Sequence, residues 1–107
     1  MAIFLYNRSG NAIAFRRTKD DKFLWDTHGH WIGWFPWGDD DAVDKHGKYL
    51  GTVVKNRLLR RNSYRYRGYP GYPGYPGFAG YPGYGGYAGY AGYVSGFSDV
   101  PVELMKR

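Results

Sequence analysis

The sequence predicts an all-β protein: three tandem short β-hairpins, with an extra C-terminal edge strand as an option. A polyproline-II-like segment of Gly-Tyr-Pro/Ala triplets follows the hairpins, and no helix of note is expected. Three observations carry this reading. A turn-centred unit recurs three times in the first 54 residues. No stretch repeats its apolar residues at the helical period. Glycine stands at every third residue from Gly68 to Gly92. The chain accordingly divides into a hairpin module (1–54), a basic joint (55–67), a triplet segment (68–96) and a C-terminal strand or tail (97–107).

The hairpin unit aligns on Gly10, Gly29 and Gly47 and reads apolar-[Asn/Asp]-x-x-Gly-x-x-[Ile/Leu]-[Ala/Gly]. Asn7, Asp26 and Asp44 stand three residues before the glycines, where a short polar side chain can bond the backbone two residues on. A glycine in the fourth place takes a left-handed φ without steric cost and completes a type I turn with a G1 bulge. The flanks, Ile3–Tyr6 with Ala12–Phe15, Phe23–Trp25 with Trp31–Phe35 and Ala42–Val43 with Tyr49–Val54, are β-branched and aromatic, as strands require. Six strands are expected. Ile13, Ile32 and Leu50, with their period-two partners Phe15, Trp34 and Thr52, form the expected shared core face. The small residues Ala14, Gly33 and Gly51 that follow allow backbones to approach or bulge. A lone hairpin is marginal in water, so the three are expected to pack on one another.

In the triplets, the residue after each of the nine glycines is aromatic: Tyr69, Tyr72, Tyr75, Phe78, Tyr81, Tyr84, Tyr87, Tyr90 and Tyr93. The third place holds Pro70, Pro73, Pro76 and Pro82, otherwise a small residue or Val94. Three residues per turn matches polyproline II, which puts glycines on one edge and rings on another. Fully extended, 27 such residues would make a rod of roughly 80 Å with no internal hydrogen bonds. It must therefore lie against something. Lateral packing within or between chains, a collagen-type triple helix, or disorder until a partner is met would each fit. Sparse prolines and a bulky ring in every triplet weigh against collagen.

Charge is local. Residues 1–54 hold seven basic and seven acidic residues, and residues 68–107 two of each, so the net +6 resides in Lys55, Arg57, Arg60, Arg61, Arg65 and Arg67. Cations interleaved with tyrosines suit single-stranded nucleic acid, with phosphates on arginines and bases on rings. They equally suit solvated cations, stacking on the chain's own tyrosines, or a charged edge that discourages aggregation.

The units FLYNRSGNAIAF and DKHGKYLGTVV, followed by Asn56–Leu59, the Gly68–Gly92 triplets and the acidic-apolar stretch Gly96–Leu104, resemble the four-fold beta-flower domain family. The resemblance implies hairpin repeats and four-fold order, and brings no assigned activity or catalytic residue. A fourth unit would come from Val100, Val102 and Leu104 as an edge strand, or from other chains.

Candidate chemistry is thin. His28, His30 and His46 with Asp26 and Asp44 cluster around two turns, but no recognised zinc spacing is present. Asp39–Asp41 resemble part of a calcium loop that lacks its glycine and terminal glutamate. Trp31, Trp34 and Trp37 would line an aromatic or carbohydrate groove, or simply pack. No serine sits in a nucleophile elbow, and no phosphate loop is present. The expectation is a non-catalytic structural or interaction module that self-associates through its hairpin face and triplet segment, with nucleic-acid binding through 55–67 as the alternative. No cofactor, metal, small-molecule substrate or membrane partner is expected. The lack of cysteine, leader and apolar span favours a soluble chain in the cytoplasm.

Overall fold

The turn chemistry read from the sequence is what organises the structure, a computed structural model that describes residues 2–105. Gly10, Gly29 and Gly47 have φ of +96°, +92° and +85°. Their amides donate to Asn7, Asp26 and Asp44 carbonyls at 3.1 Å, and the amides of those three residues donate to Asn11, His30 and Lys48 carbonyls. Each turn's side chain also caps it: Asn7 Oδ1 accepts from Asn11 N, Asp26 Oδ1 from His28 and His30 N, and Asp44 Oδ1 from His46 and Lys48 N.

Eight strands result: β1 (Ile3–Tyr6), β2 (Ala12–Arg16), β3 (Phe23–Asp26), β4 (Trp31–Trp34), β5 (Asp41–Val43), β6 (Tyr49–Val54), β7 (Arg57–Arg61) and β8 (Phe97–Asp99). Each pairs antiparallel with the next, and β1 returns to β7 through a parallel Tyr6–Arg57 pair. Tyr6 N donates to Asn56 O at 2.9 Å at this seam. Seven strands therefore close into a barrel, with β8 added to β7, instead of three hairpins simply packed together. Closure joins the two end strands that a row of hairpins would leave apart, and β8 remains as an edge strand.

The residues expected to be a joint supply the seventh strand. Leu58 and Leu59 are both fully buried. Lys55, with φ of +58°, makes the tight link from β6.

The barrel interior gathers Leu5, Ala14, Leu24, Ile32, Phe35, Ala42, Leu50, Leu58 and Val100. A second cluster of Phe15, Trp25 and Trp31, with Phe4 and Phe23 packed on it, occupies the opposite face of β1–β4. The expected core face is half right. Ile32 and Leu50 are in the interior and Ile13 packs against it, but Phe15 lies in the other cluster and Trp34 and Thr52 belong to neither. The cause is a second bulge in each hairpin. Pairing passes from residue 12 to 14, from 31 to 33 and from 49 to 51, so Ile13, Ile32 and Leu50 are the extra residues and the alternation slips by one. The small residues that follow do allow close approach: a Cβ on Gly33 would fall 2.3 Å from Val43 O, and one on Gly51 2.7 Å from Leu59 O.

Two further expectations need correction. The C-terminal strand is Phe97–Asp99, and Val102–Met105 forms one turn of 3-10 helix in place of an alternating edge. Pro101 cannot donate to a ladder, and its carbonyl accepts Leu104 N at 3.0 Å. The triplets do not run as continuous polyproline II, because all nine glycines have positive φ, from +75° to +94°, where that helix needs about −75°. Nor is the segment an outstretched rod. The longest extent of the molecule is 35 Å and the radius of gyration is 12.8 Å, about what 107 compact residues give.

Candidate functional site

The triplet segment is an inserted connection between β7 and β8 that lies along the barrel as a belt. It meets the three hairpin turns in reverse order. Tyr69 and Pro70 lie on Gly47, Gly80 on Gly29, and Gly89 on Gly10. Ala79 N donates to Gly29 O and Ala88 N to Gly10 O, both at 2.9 Å. The contacts with the second and first turns are nine residues apart, three triplets, and the contact with the third turn lies ten to eleven residues before Gly80. The turn glycines are buried beneath the belt, and a Cβ on Gly29 or Gly10 would fall 2.1 Å or 2.5 Å from a belt carbonyl oxygen.

The third triplet place follows from this docking. Ala79, Ala88 and Ala91 donate their amides, the last to Arg8 O at 2.7 Å, and proline would abolish each bond. Gly85 lies where a Cβ would fall 2.6 Å from the Phe4 ring, and its carbonyl accepts the Tyr6 hydroxyl. Proline occupies Pro70, Pro73, Pro76 and Pro82, positions where none of the belt's bonds to the turns needs an amide. Sequence reasoning saw the mixture of proline and small residues without this cause.

Because the backbone docks, the rings turn outward. Tyr69, Tyr72, Tyr75, Phe78, Tyr81, Tyr84, Tyr87, Tyr90 and Tyr93 are 57–87% exposed. A few touch the barrel: Tyr72 and Tyr75 meet Trp31 edge-on at 5.8 Å and 5.9 Å, and Phe78 lies tilted against His30 at 5.1 Å.

The six cations have divided roles. Arg57 donates to Asn7 O, Gly89 O and Ala88 O, clamping the first turn to the belt. Arg60 donates to Tyr49 O and Leu50 O. Arg61 reaches Asp41 at 3.4 Å, while Arg67 binds Asp39 at 2.7 Å and Asp41 at 2.9 Å with its guanidinium over Trp37. Burial alone raises the Asp39 carboxyl, but the Asp41 amide and the Arg67 guanidinium more than offset it and hold it below its ordinary value. Tyr64 stacks on Tyr49 at 3.7 Å, and burial followed by the nearby Asp41 charge pushes its phenol up. Only Lys55 and Arg65 are exposed without a polar partner among the described residues.

The remaining candidates disperse. Among the described residues no group of three or more His, Asp or Glu is placed to hold a metal. His30 Nδ1 lies 3.5 Å from Asp26, at its own turn. The Asp39–Asp41 stretch engages arginines, as above. Trp31 and Trp34 are buried, so the three tryptophans form no groove. No helix among the described residues is long and apolar enough to cross a membrane. Sequence reasoning missed Asp21, a buried carboxylate that accepts bonds from Arg17, the Trp25 indole and the Phe23 amide. Its chemistry is structural, since it ties the β2–β3 link to the outer cluster.

No protein-family model, curated protein or solved structure matches this chain.

Proposed function

We propose that the protein is a non-catalytic interaction module that self-associates through the aromatic rings of its belt. The observation that carries this is the outward display of nine rings from a backbone held in register. Each exposed ring offers on the order of 100 Å², so the nine together expose about as much surface as the roughly 800 Å² that one partner contributes to a standard interface. Contiguous exposed apolar surface beyond a few hundred Å² is uncommon on a monomer. The hairpin turns are covered by the belt, so the rings, and not a bare hairpin face, would carry the association.

The resemblance to the four-fold beta-flower family belongs to this reading. A fourth antiparallel pair, β7–β8, supports it, with Asn62 N bonded to Gly96 O at 2.8 Å. Nucleic-acid binding through residues 55–67 is the lesser reading, because four of its six cations already serve internal bonds.

Light scattering over a concentration series tests the proposal, comparing the full chain with a variant carrying Tyr69, Tyr75, Tyr90 and Tyr93 as serine. The full chain is expected to associate and the folded variant to remain monomeric. Equal behaviour of the two would overturn the reading.

A further inference from the structure

We propose that the cleft between the first two hairpins and belt residues 81–87 binds a neutral carbohydrate. The cleft has a volume of about 370 Å³, within the range of small-molecule sites. Its belt wall carries Tyr81, Tyr84 and Tyr87, and its barrel wall carries Phe4 with Asn11, Thr27 and His28. None of its eleven lining residues is Asp, Glu, Lys or Arg. By contrast, the clefts beside Arg16 and Asp40 and beside Arg61 and Arg67 are lined with formal charges. A charged ligand would find no counter-charge here, and a neutral one finds no competing ion.

The remaining chemistry selects among neutral ligands. A sugar ring has a C–H face that lies well on an aromatic ring and a rim of hydroxyls that both donate and accept. The side chains of Asn11, Thr27 and His28 have no hydrogen-bond partner among the described residues, so an amide, a hydroxyl and an imidazole are available to that rim. Tyr84, 87% exposed, offers an open ring face. A flat aromatic ligand would instead require an enclosed apolar slot.

The site is also held in shape. Gly85 rests on Phe4 and Ala12, its carbonyl is bonded by the Tyr6 hydroxyl, and Tyr87 forms a backbone bridge with Asn11. Gly85 is the one third-place residue of the triplets without a side chain, and a Cβ there would fall 2.6 Å from the Phe4 ring and 2.9 Å from Ala12 Cβ, so its absence lets the belt approach the barrel wall of the cleft. Pre-organisation of this kind lowers the ordering cost of binding.

The test is an amide-resolved NMR titration of the full chain with cellobiose, maltose and N,N′-diacetylchitobiose, each up to about 50 mM, a concentration suited to weak binding. At least one sugar is expected to shift Asn11, Thr27, His28 and the 81–87 amides, with an affinity unchanged by added salt. Tyr84→Ala should weaken that binding about fivefold, the effect of losing one stacked ring. Tyr66→Ala, an exposed tyrosine outside the cleft, should leave it unchanged. The serine variant used for association retains all three cleft tyrosines and should still bind, which separates this result from self-association. The proposal is overturned if no sugar shifts these amides, if a flat probe such as indole shifts them and sugars do not, or if Tyr84→Ala and Tyr66→Ala behave alike.

Discussion

Replacing Gly29 by alanine tests the docking of the belt against a control in the same molecule, Gly38. Both glycines have positive φ, +92° and +69°, so either substitution strains the backbone by about 1 kcal/mol. Around Gly38 a new Cβ meets nothing within 4 Å, whereas at Gly29 it falls 2.1 Å from Gly80 O and 2.7 Å from Gly80 N. To reach an ordinary contact of 3.4 Å the belt must retreat by 1.3 Å, the difference between those two distances. That retreat stretches the 2.9 Å bond from Ala79 N to Gly29 O and lifts Ala79 from the cluster of Phe15, Trp25 and Trp31. A lost buried hydrogen bond adds about 1 kcal/mol and the lost packing about as much again. Gly29→Ala should therefore cost about 3 kcal/mol and Gly38→Ala about 1. At about 5 °C per kcal/mol for a domain of this size, thermal unfolding followed by near-ultraviolet circular dichroism should place the two midpoints about 10 °C apart. Equal midpoints would refute the claim that the belt sits on the turn.

The proline pattern yields a second contrast: Ala88→Pro removes the donor to Gly10 O and should lose about 1–2 kcal/mol, whereas Pro82→Ala, which removes only chain stiffness, should lose no more than about 1. Chemical denaturation of both variants checks this. Asp21 provides a pH prediction. Burial raises its carboxyl, but bonds from Arg17, the Trp25 indole and two backbone amides overcome this and hold its pKa well below the ordinary range. A carboxyl depressed on folding contributes stability above its unfolded value of about 3.9, and that contribution is lost as the pH falls towards the folded value. Denaturation at several pH values should show Asp21→Asn destabilised by about 2 kcal/mol at pH 7, with a shallower loss of stability below pH 4 than the parent.

Much of the barrel was legible because its turns are local. Asn7 with Gly10, Asp26 with Gly29 and Asp44 with Gly47 are each three residues apart, so their chemistry can be read without knowing the fold. What escaped was long-range. The closing strand lies in a run of cations, and Leu58 and Leu59 are adjacent instead of alternating, because β7 is buried on both faces. The second bulges inverted the faces of Phe15, Trp34 and Thr52, since one inserted residue changes every later side chain. The triplets were visible as a period, but their partner is the backbone of turns some 20–80 residues earlier, where no side-chain pattern announces it. The third-place alanines at 79, 88 and 91 were the available signal, as breaks in proline use where an amide is needed. Arginine roles were illegible for a similar reason: Arg57 and Arg60 bond carbonyls, which every residue possesses.

Amide hydrogen exchange across residues 68–94 tests most directly whether the belt is docked in its nine-residue register. Slow exchange at Ala79, Ala88 and Ala91, set against fast exchange at Phe78 and Tyr90 beside two of them, is the expected pattern. Uniformly fast exchange throughout the segment would contradict it.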